Sequence, residues 1–337
     1  MRKLCAIAVS LFVVCSSRWL VFGGAEIIFR AGNIQPESSP WNQGLDRLRE
    51  LVGRYTGGRI ELIVYPNATF AADPNLIRHC QEGTLDMYVG DPAAGTSALA
   101  KELELFALPF LFRDYEHWKN ALDGPPGQKY SRIIEEKTGL RIVGYWGGSS
   151  RNLIAVNKPV ASIDDLKEFR IRLTPSLIKF QVWQAIGTRP VNIVFGEAYD
   201  AMINGFCDGM ENELSAIIVN KLYEPARFLT MTEHEITVRP VFINAKSMDR
   251  LSPQIKAAFM LAMVEATDHA RRVEKEIDDR AISDLTGKFG MILTRIDREP
   301  FKKATADIIR RFGEETGLTG LIQELKTFPR ESGSPTG

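Results

Sequence analysis

The stretch FRIRL, Phe169 to Leu173, sets two guanidinium groups into a run that otherwise reads as a buried strand. Period-2 alternation puts Phe169, Ile171 and Leu173 on one face and Arg170 and Arg172 on the other. For Arg170, nearest the strand start, a solvated face is explanation enough. Arg172 lies toward the carboxyl end, where open α/β sheets carry their ligand crevices. A guanidinium there presents a rigid fork that meets a carboxylate through two parallel hydrogen bonds, whereas a lysine would supply charge without the fork. Carboxylate recognition is therefore the chemistry expected of Arg172. Arg151, directly after GGSS, is a second arginine at an element boundary, and the residues alone leave it open between a ligand contact and an ordinary loop arginine.

Signatures of catalysis are missing from the sequence. It has no G-x-S-x-G elbow, no glycine-rich phosphate loop and no H-E-x-x-H pair. His79, His117, His234 and His269 are scattered, none with another His or Cys at metal-ligand spacing, so neither a metal nor a cofactor is expected. Acidic and basic residues balance at 42 each, which removes the basic field that nucleic-acid binding needs.

The elements that must position these arginines read as α/β. Ile27 to Ala31 is a strand, Trp41 to Tyr55 a helix closed by Gly57 and Gly58, and Arg59 to Tyr65 a strand ending at Pro66. A helix over 76–82 and a strand over 85–89 continue the alternation, which predicts a largely parallel sheet. Residues 105–118 read as a buried crossing segment, followed by helices near 118–122 and 130–138 and a strand over 140–145 that ends in Gly147-Gly148. A second unit then starts at Arg151. It carries Ser162 as an N-cap with Asp165 in the capping-box position, FRIRL, a helix over 176–186, a strand over 191–194 and a helix over 197–204. DGMEN, 208–212, reads as the start of a turn or helix. Ser252-Pro253 opens a helix that meets no proline or glycine before Leu285, long enough at ~50 Å to bend or to brace two domains.

At 337 residues and 45% hydrophobic, the chain is expected to form two domains. Its first 25 residues, with Arg2 and Lys3, an apolar run over 4–15 and small residues ending at Ala25, read as a secretory signal peptide. Cleavage after Ala25 fits a small-x-small site, with Ser16 as an earlier alternative. Removing Arg2, Lys3 and Arg18 takes the 42 basic residues to 39 against 42 acidic ones. Cys80 and Cys207 remain, compatible with a disulfide but read as two small buried side chains.

The order of motifs resembles the solute-binding proteins of tripartite ATP-independent periplasmic (TRAP) transporters, the DctP-type family. SSRNLIAVNKPV, SIDDLKEFRIRL, FGEAYDAM, NGFCDGMEN and LTMTEHE carry the likeness from Gly147 to Leu251, and YTGGRIELIVYPN, EGTLDMYVG and FALPFLF precede them in order. The resemblance implies a two-lobe periplasmic binding protein fold with discontinuous α/β domains and a long helix bridging both lobes. Lobe one is expected at 26–148 plus 238–277, lobe two at 149–237 plus 278–330, and a tail at 331–337.

By position, Arg172 matches the family's selectivity arginine, Arg151 an assisting arginine, Asn212 an asparagine on the same carboxylate and Phe195 an aromatic that packs on the ligand. Asp91 and Asn33 are the contacts implied from lobe one. The implied function is capture of an organic acid in an interlobe cleft and delivery to TRAP membrane subunits by a periplasmic monomer, without catalysis or cofactor. Asp91 would repel a second carboxylate and so favours a hydroxylated acid such as a uronate or aldonate.

The chain departs from the family where Glu168 replaces a glycine, where ATFAADP alters the loop near Asp73, and where GGSSRN changes a G-x-R spacing. Two rival readings are a ligand-binding partner of a membrane sensor and a secreted enzyme with Glu211 or Asp208 as general base. Export should yield a mature protein that begins after Ala25, as intact-mass spectrometry of the periplasmic fraction will register; a mass retaining the leader would contradict processing.

Overall fold

A computed structural model describes residues 25–72 and 75–329. The leader up to residue 24, Asp73 of the altered loop and the expected tail lie outside the described residues. Strands β1 (Ile27–Gly32), β2 (Ile60–Tyr65) and β3 (Met87–Val89) alternate with helices α1 (Pro40–Tyr55) and α2 (Asn75–Glu82). Helices α3 (Tyr115–Asp123) and α4 (Pro125–Thr138) lead into the long strand β4 (Leu140–Ala155). Next come β5 (Arg170–Leu173), α5 (Leu177–Ala185), β6 (Arg189–Asn192), α6 (Ala198–Ile203), β7 (Gly209–Glu213) and α7 (Leu214–Val219). The second long strand, β8 (Phe228–Asn244), is followed by α8 (Ala245–Asp249), α9 (Pro253–Ser283), β9 (Ile292–Arg295), α10 (Glu299–Thr316) and α11 (Thr319–Thr327).

All the strands join one sheet in the order β2-β1-β3-β8-β4-β7-β5-β6, with β9 beside β8. The antiparallel pair β4 and β8 is its spine. One end of β8 pairs with β3 through Val241 to Ile243, while the far end of β4 pairs with β7 through Arg151 to Ala155. Two cores therefore flank one spine. Phe29, Leu48, Met87, Val241 and Phe259 form one; Ile154, Met202, Met210, Leu229 and Leu285 form the other. A further apolar cluster, from Trp118 and Tyr130 to Ile171, Trp183 and Phe301, links the two halves. Cys80 and Cys207 are buried free thiols in different clusters.

Helix α9 begins as expected, with Pro253 at its first position and the Ser252 hydroxyl accepting the Ile255 N–H. Its 31 residues span ~46 Å. Phe259 to Ala270 pack into the first core and Ala281 into the second, so one rigid element touches both. Among the described residues no helix is long and apolar enough to cross a membrane.

Two expectations are corrected. Gly147 and Gly148 do not end a strand: β4 runs through them, and with φ of 98° and 106° they form an irregularity opposite Val238 and Ile236. A Cβ on Gly147 would lie 2.6 Å from the Thr237 carbonyl. DGMEN contributes not a turn or helix but β7, inside the sheet between β4 and β5. Its Glu211 and Asn212 make the segment look exposed in sequence, whereas both are buried, and Arg151 of the neighbouring β4 neutralises Glu211.

The capping box of Ser162 and Asp165 forms, and it delivers the chain to Glu168, which sits at φ 64°. That is the left-handed region, which costs a non-glycine residue roughly 1–2 kcal/mol. The family's glycine at this position is thereby explained, and Glu168 is strained. Its exposed ion pair with Arg189 offsets little of that cost. Glu168→Gly should raise stability by about 0.5–1 kcal/mol, net of glycine's greater unfolded entropy, in urea denaturation; a lower midpoint would refute the strain.

Candidate functional site

The two arginines of FRIRL part company in the folded chain. Arg170 is exposed and binds Asp208 at 2.6 Å and the Gly205 carbonyl at 2.7 Å. Arg172, between Val191 of β6 and Met210 of β7, is 1% exposed. Its Nε donates to the Ile193 carbonyl at 2.8 Å, its one hydrogen bond among the described residues, and Nη2 is buried without a partner. The Phe195 ring lies 5.6 Å from its guanidinium carbon. Burial lowers the Arg172 pKa to about 10, against the pull of Glu211, so the group is still a cation at neutral pH. An unneutralised buried guanidinium is costly, and here its Nη1–Nη2 edge stands open.

Around it the other charges are paired. Arg151 is no loop residue: it sits in mid-β4 opposite Glu213 of β7, 2% exposed. Its Nε and Nη2 clasp the Glu211 carboxylate at 2.5 and 2.8 Å, and Nη1 reaches Glu213 at 2.6 Å. Glu213 also accepts from Arg239 of β8, at 3.1 Å. Burial alone would neutralise these groups, but mutual attraction prevails: Arg151 is held well above its usual range, Glu211 well below, and Glu213 lowered. His234, buried between Thr232 and Glu211, has its pKa lowered by burial and stays neutral.

Arg151, Arg172, Phe195, Asn212 and Asp91 line one cavity of ≈ 30 Å³. Asn212 is 4% exposed, its Oδ1 accepting the Glu213 N–H at 3.1 Å. Asp91 is neutralised: Lys179 of α5 donates to it at 2.7 Å. Asn33 is not on the cavity wall. Its amide is engaged by Asn42 and by the Gln35 N–H, so it holds the loop from which the next residues, Ile34 and Gln35, reach the cavity. Sequence reasoning passed over Arg239, Trp41 and Lys179. The criterion applied to FRIRL, a guanidinium within an apolar strand, would have found Arg239 in TVRPVF. A far roomier concavity, ≈ 670 Å³ beside Phe110 and α10–α11, has an apolar wall and surface cations but no comparable buried polar cluster. Volume alone thus points away from the chemistry.

The proposed general bases are both committed. Glu211 is bound by Arg151 and His234, and Asp208 by Arg170. Among the described residues no group of three or more His, Cys, Asp and Glu side chains could hold a metal ion.

A family model described as bacterial extracellular solute-binding protein, family 7, matches residues 31–316. The 2,3-diketo-L-gulonate-binding periplasmic protein of Escherichia coli (strain K12) is 25% identical, over 91% of this chain and 93% of its own. A TRAP periplasmic solute-binding protein from Sulfitobacter sp. NAS-14.1, solved with bound α-D-taluronate, superposes with a TM-score of 0.83 at 27% identity, covering 89% of this chain and 97% of that one. Another, from Sulfurospirillum deleyianum with bound succinate, gives 0.82 at 25% identity over 90% and 100%. The fold is thus that of the two-lobe TRAP periplasmic binding proteins.

On the flank of the site, α9 offers Glu274 to the Ser215 hydroxyl and Asp278 to the Ser149 hydroxyl. Burial pushes Glu274 up to about 8 and Asp278 up to about 7. The folded state then keeps protons that the unfolded chain releases above its carboxyl value of 4.5, so stability present below that pH is lost as pH rises toward 8. Glu274→Gln, which fixes the neutral form, should leave the melting temperature at pH 5 unchanged and raise it at pH 8 by about 3 °C or more. Equal shifts at both pH values in thermal scans would exclude this origin.

Proposed function

The chain belongs to family 7 of the bacterial extracellular solute-binding proteins, the binding components of TRAP transporters, and we propose that it captures an organic acid and hands it to TRAP membrane subunits. The observation that carries this reading is Arg172: a buried cation with an open Nη edge and no carboxylate partner among the described residues, on the cavity wall. A ligand carboxylate supplies the missing partner in two-point geometry. Arg151, oriented by Glu211 and Glu213, adds positive potential, Asn212 a polar amide and Phe195 an apolar wall.

The lobes are taken as 26–148 plus 238–277 and 149–237 plus 278–330. In that division Arg172, Arg151, Asn212 and Phe195 belong to lobe two, which the ligand meets first. Lobe one then brings Asp91 to Lys179 and Glu104 to the first N–H groups of α5, Leu177 and Ile178. Such contacts form only on closure and so favour the closed state. A cavity of ≈ 30 Å³ holds about one water, so entry of an acid requires the lobes to part. The relatives that bind 2,3-diketo-L-gulonate and α-D-taluronate favour a sugar acid or hydroxy acid. The protein works as an exported monomer and binds without catalysis, consistent with the committed state of Glu211 and Asp208.

Calorimetry against a panel of aldonates and uronates tests the assignment. Arg172→Ala should weaken binding by about 2–5 kcal/mol, roughly 30- to 5000-fold, without lowering the melting temperature, since it removes an unpaired buried charge. Arg172→Lys should fall between, and Arg170→Ala should bind as the parent does. Unchanged affinity in Arg172→Ala would sink the reading.

A further inference from the structure

Arg239 has no role in the reading above beyond holding Glu213, yet it carries the second unsatisfied guanidinium nitrogen of the site. It is 3% exposed and lines the same cavity as Arg172. Its Nη2 donates to both oxygens of Glu213, each at 3.1 Å, and its Nη1 to the Val238 carbonyl at 3.3 Å. The Trp41 ring lies 5.3 Å from its guanidinium carbon and fixes the plane of the fork. Nε, buried, has no hydrogen-bond partner among the described residues. Buried donors in native structures are nearly always satisfied, so an orphan on a cavity wall points to an acceptor that arrives with the ligand.

The geometry also limits what that acceptor is. Arg172 keeps its whole Nη1–Nη2 edge open, which is the two-point complement of a carboxylate. Arg239 has both Nη groups engaged, Nη2 on Glu213 and Nη1 on the Val238 carbonyl, so the one nitrogen without a partner among the described residues, Nε, offers a single N–H, which suits one hydroxyl or keto oxygen. We propose that Arg239 is a second ligand-facing donor and selects a neutral oxygen at the end of the ligand remote from its carboxylate. This rests on the assignment of Arg172 as the carboxylate anchor.

The charges around the cleft agree. Arg151, Arg172, Arg239 and Lys179 face Asp91, Glu211 and Glu213 as three firmly ionised partners. The fourth carboxyl, Glu235, is 3.8 Å from Arg151 and 4.0 Å from Lys179, and burial pushes it up to about 7. At neutral pH Glu235 is then about half protonated, and in its neutral form four cations meet three anions, so that one ligand carboxylate completes the balance. A second would leave an excess negative charge in a buried site, which is strongly unfavourable. Asp91 is not the source of that discrimination, because Lys179 already neutralises it.

The test uses the mature full-length protein and calorimetry with aldonates of four, five and six carbons, each beside its terminal-deoxy and its aldarate counterpart. The parent should bind one aldonate at least about tenfold more tightly than both counterparts of the same length, the size of one hydrogen bond to a charged group. Arg239→Gln should abolish the preference for that aldonate over its deoxy counterpart, whatever common loss the missing charge imposes on all three ligands. A merely structural role would lower all three by the same factor and keep the preference, and that result overturns the inference. So does a parent that prefers the aldarate or binds none of the series. Arg172→Ala, run alongside, should lose the whole series; if it retains them, the carboxylate anchor itself is wrong whatever Arg239 does.

Discussion

Four charged side chains meet in the middle of the sheet almost without water: Arg151, Glu211, Glu213 and Arg239. Burying each alone would cost several kcal/mol, so their presence depends on mutual pairing with good geometry. That pairing ties β4, β7 and β8 together by side chains where their ladders already join them by backbone. It also decides which cation remains available. Arg151 and Arg239 are largely consumed by Glu211 and Glu213, while Arg172, one strand over, meets no carboxylate among the described residues. The network thus leaves, out of a cluster of arginines, one guanidinium with an open edge and supporting charge around it.

The same strands that carry the network are the spine on which both lobes are built. β4 and β8 traverse the molecule, and α9 runs beside them with one part in each core. Bending within such a spine is easiest where side chains are absent and the register slips, as at Gly147 and Gly148. Ser149, the next residue, is held by Asp278 of α9, so the helix grips the spine beside its most irregular point.

Much of the fold was legible because most elements obey local rules. The alternation in FRIRL, the Ser162 capping box and the Ser252-Pro253 start announce themselves through spacing and backbone chemistry. Reading failed where neighbours in space override the local signal. β7 looks like a turn because two glutamates and an asparagine are polar, and the arginines of β4 and β8 let the glutamates be buried. Gly147 and Gly148 look like a terminus because glycine breaks strands, and only the facing Thr237 and Tyr115 show why they stay within one. Asn33 has the polarity of a ligand contact but is claimed by Asn42.

From the sequence alone came the α/β class, the order of elements and the separation of Arg170 from Arg172, since each follows from period, capping and position along one strand. Arg172 could be singled out because a guanidinium in an apolar strand needs a reason. What only the tertiary structure decided was which charges are already answered. Lys179 neutralises Asp91, Glu211 and Glu213 claim Arg151, and Arg239 enters the cleft from a strand distant in sequence. Electrostatic pairing acts through space over a few ångströms and leaves no trace in the spacing of residues along a chain, so the state of each charge appears only once the strands are assembled.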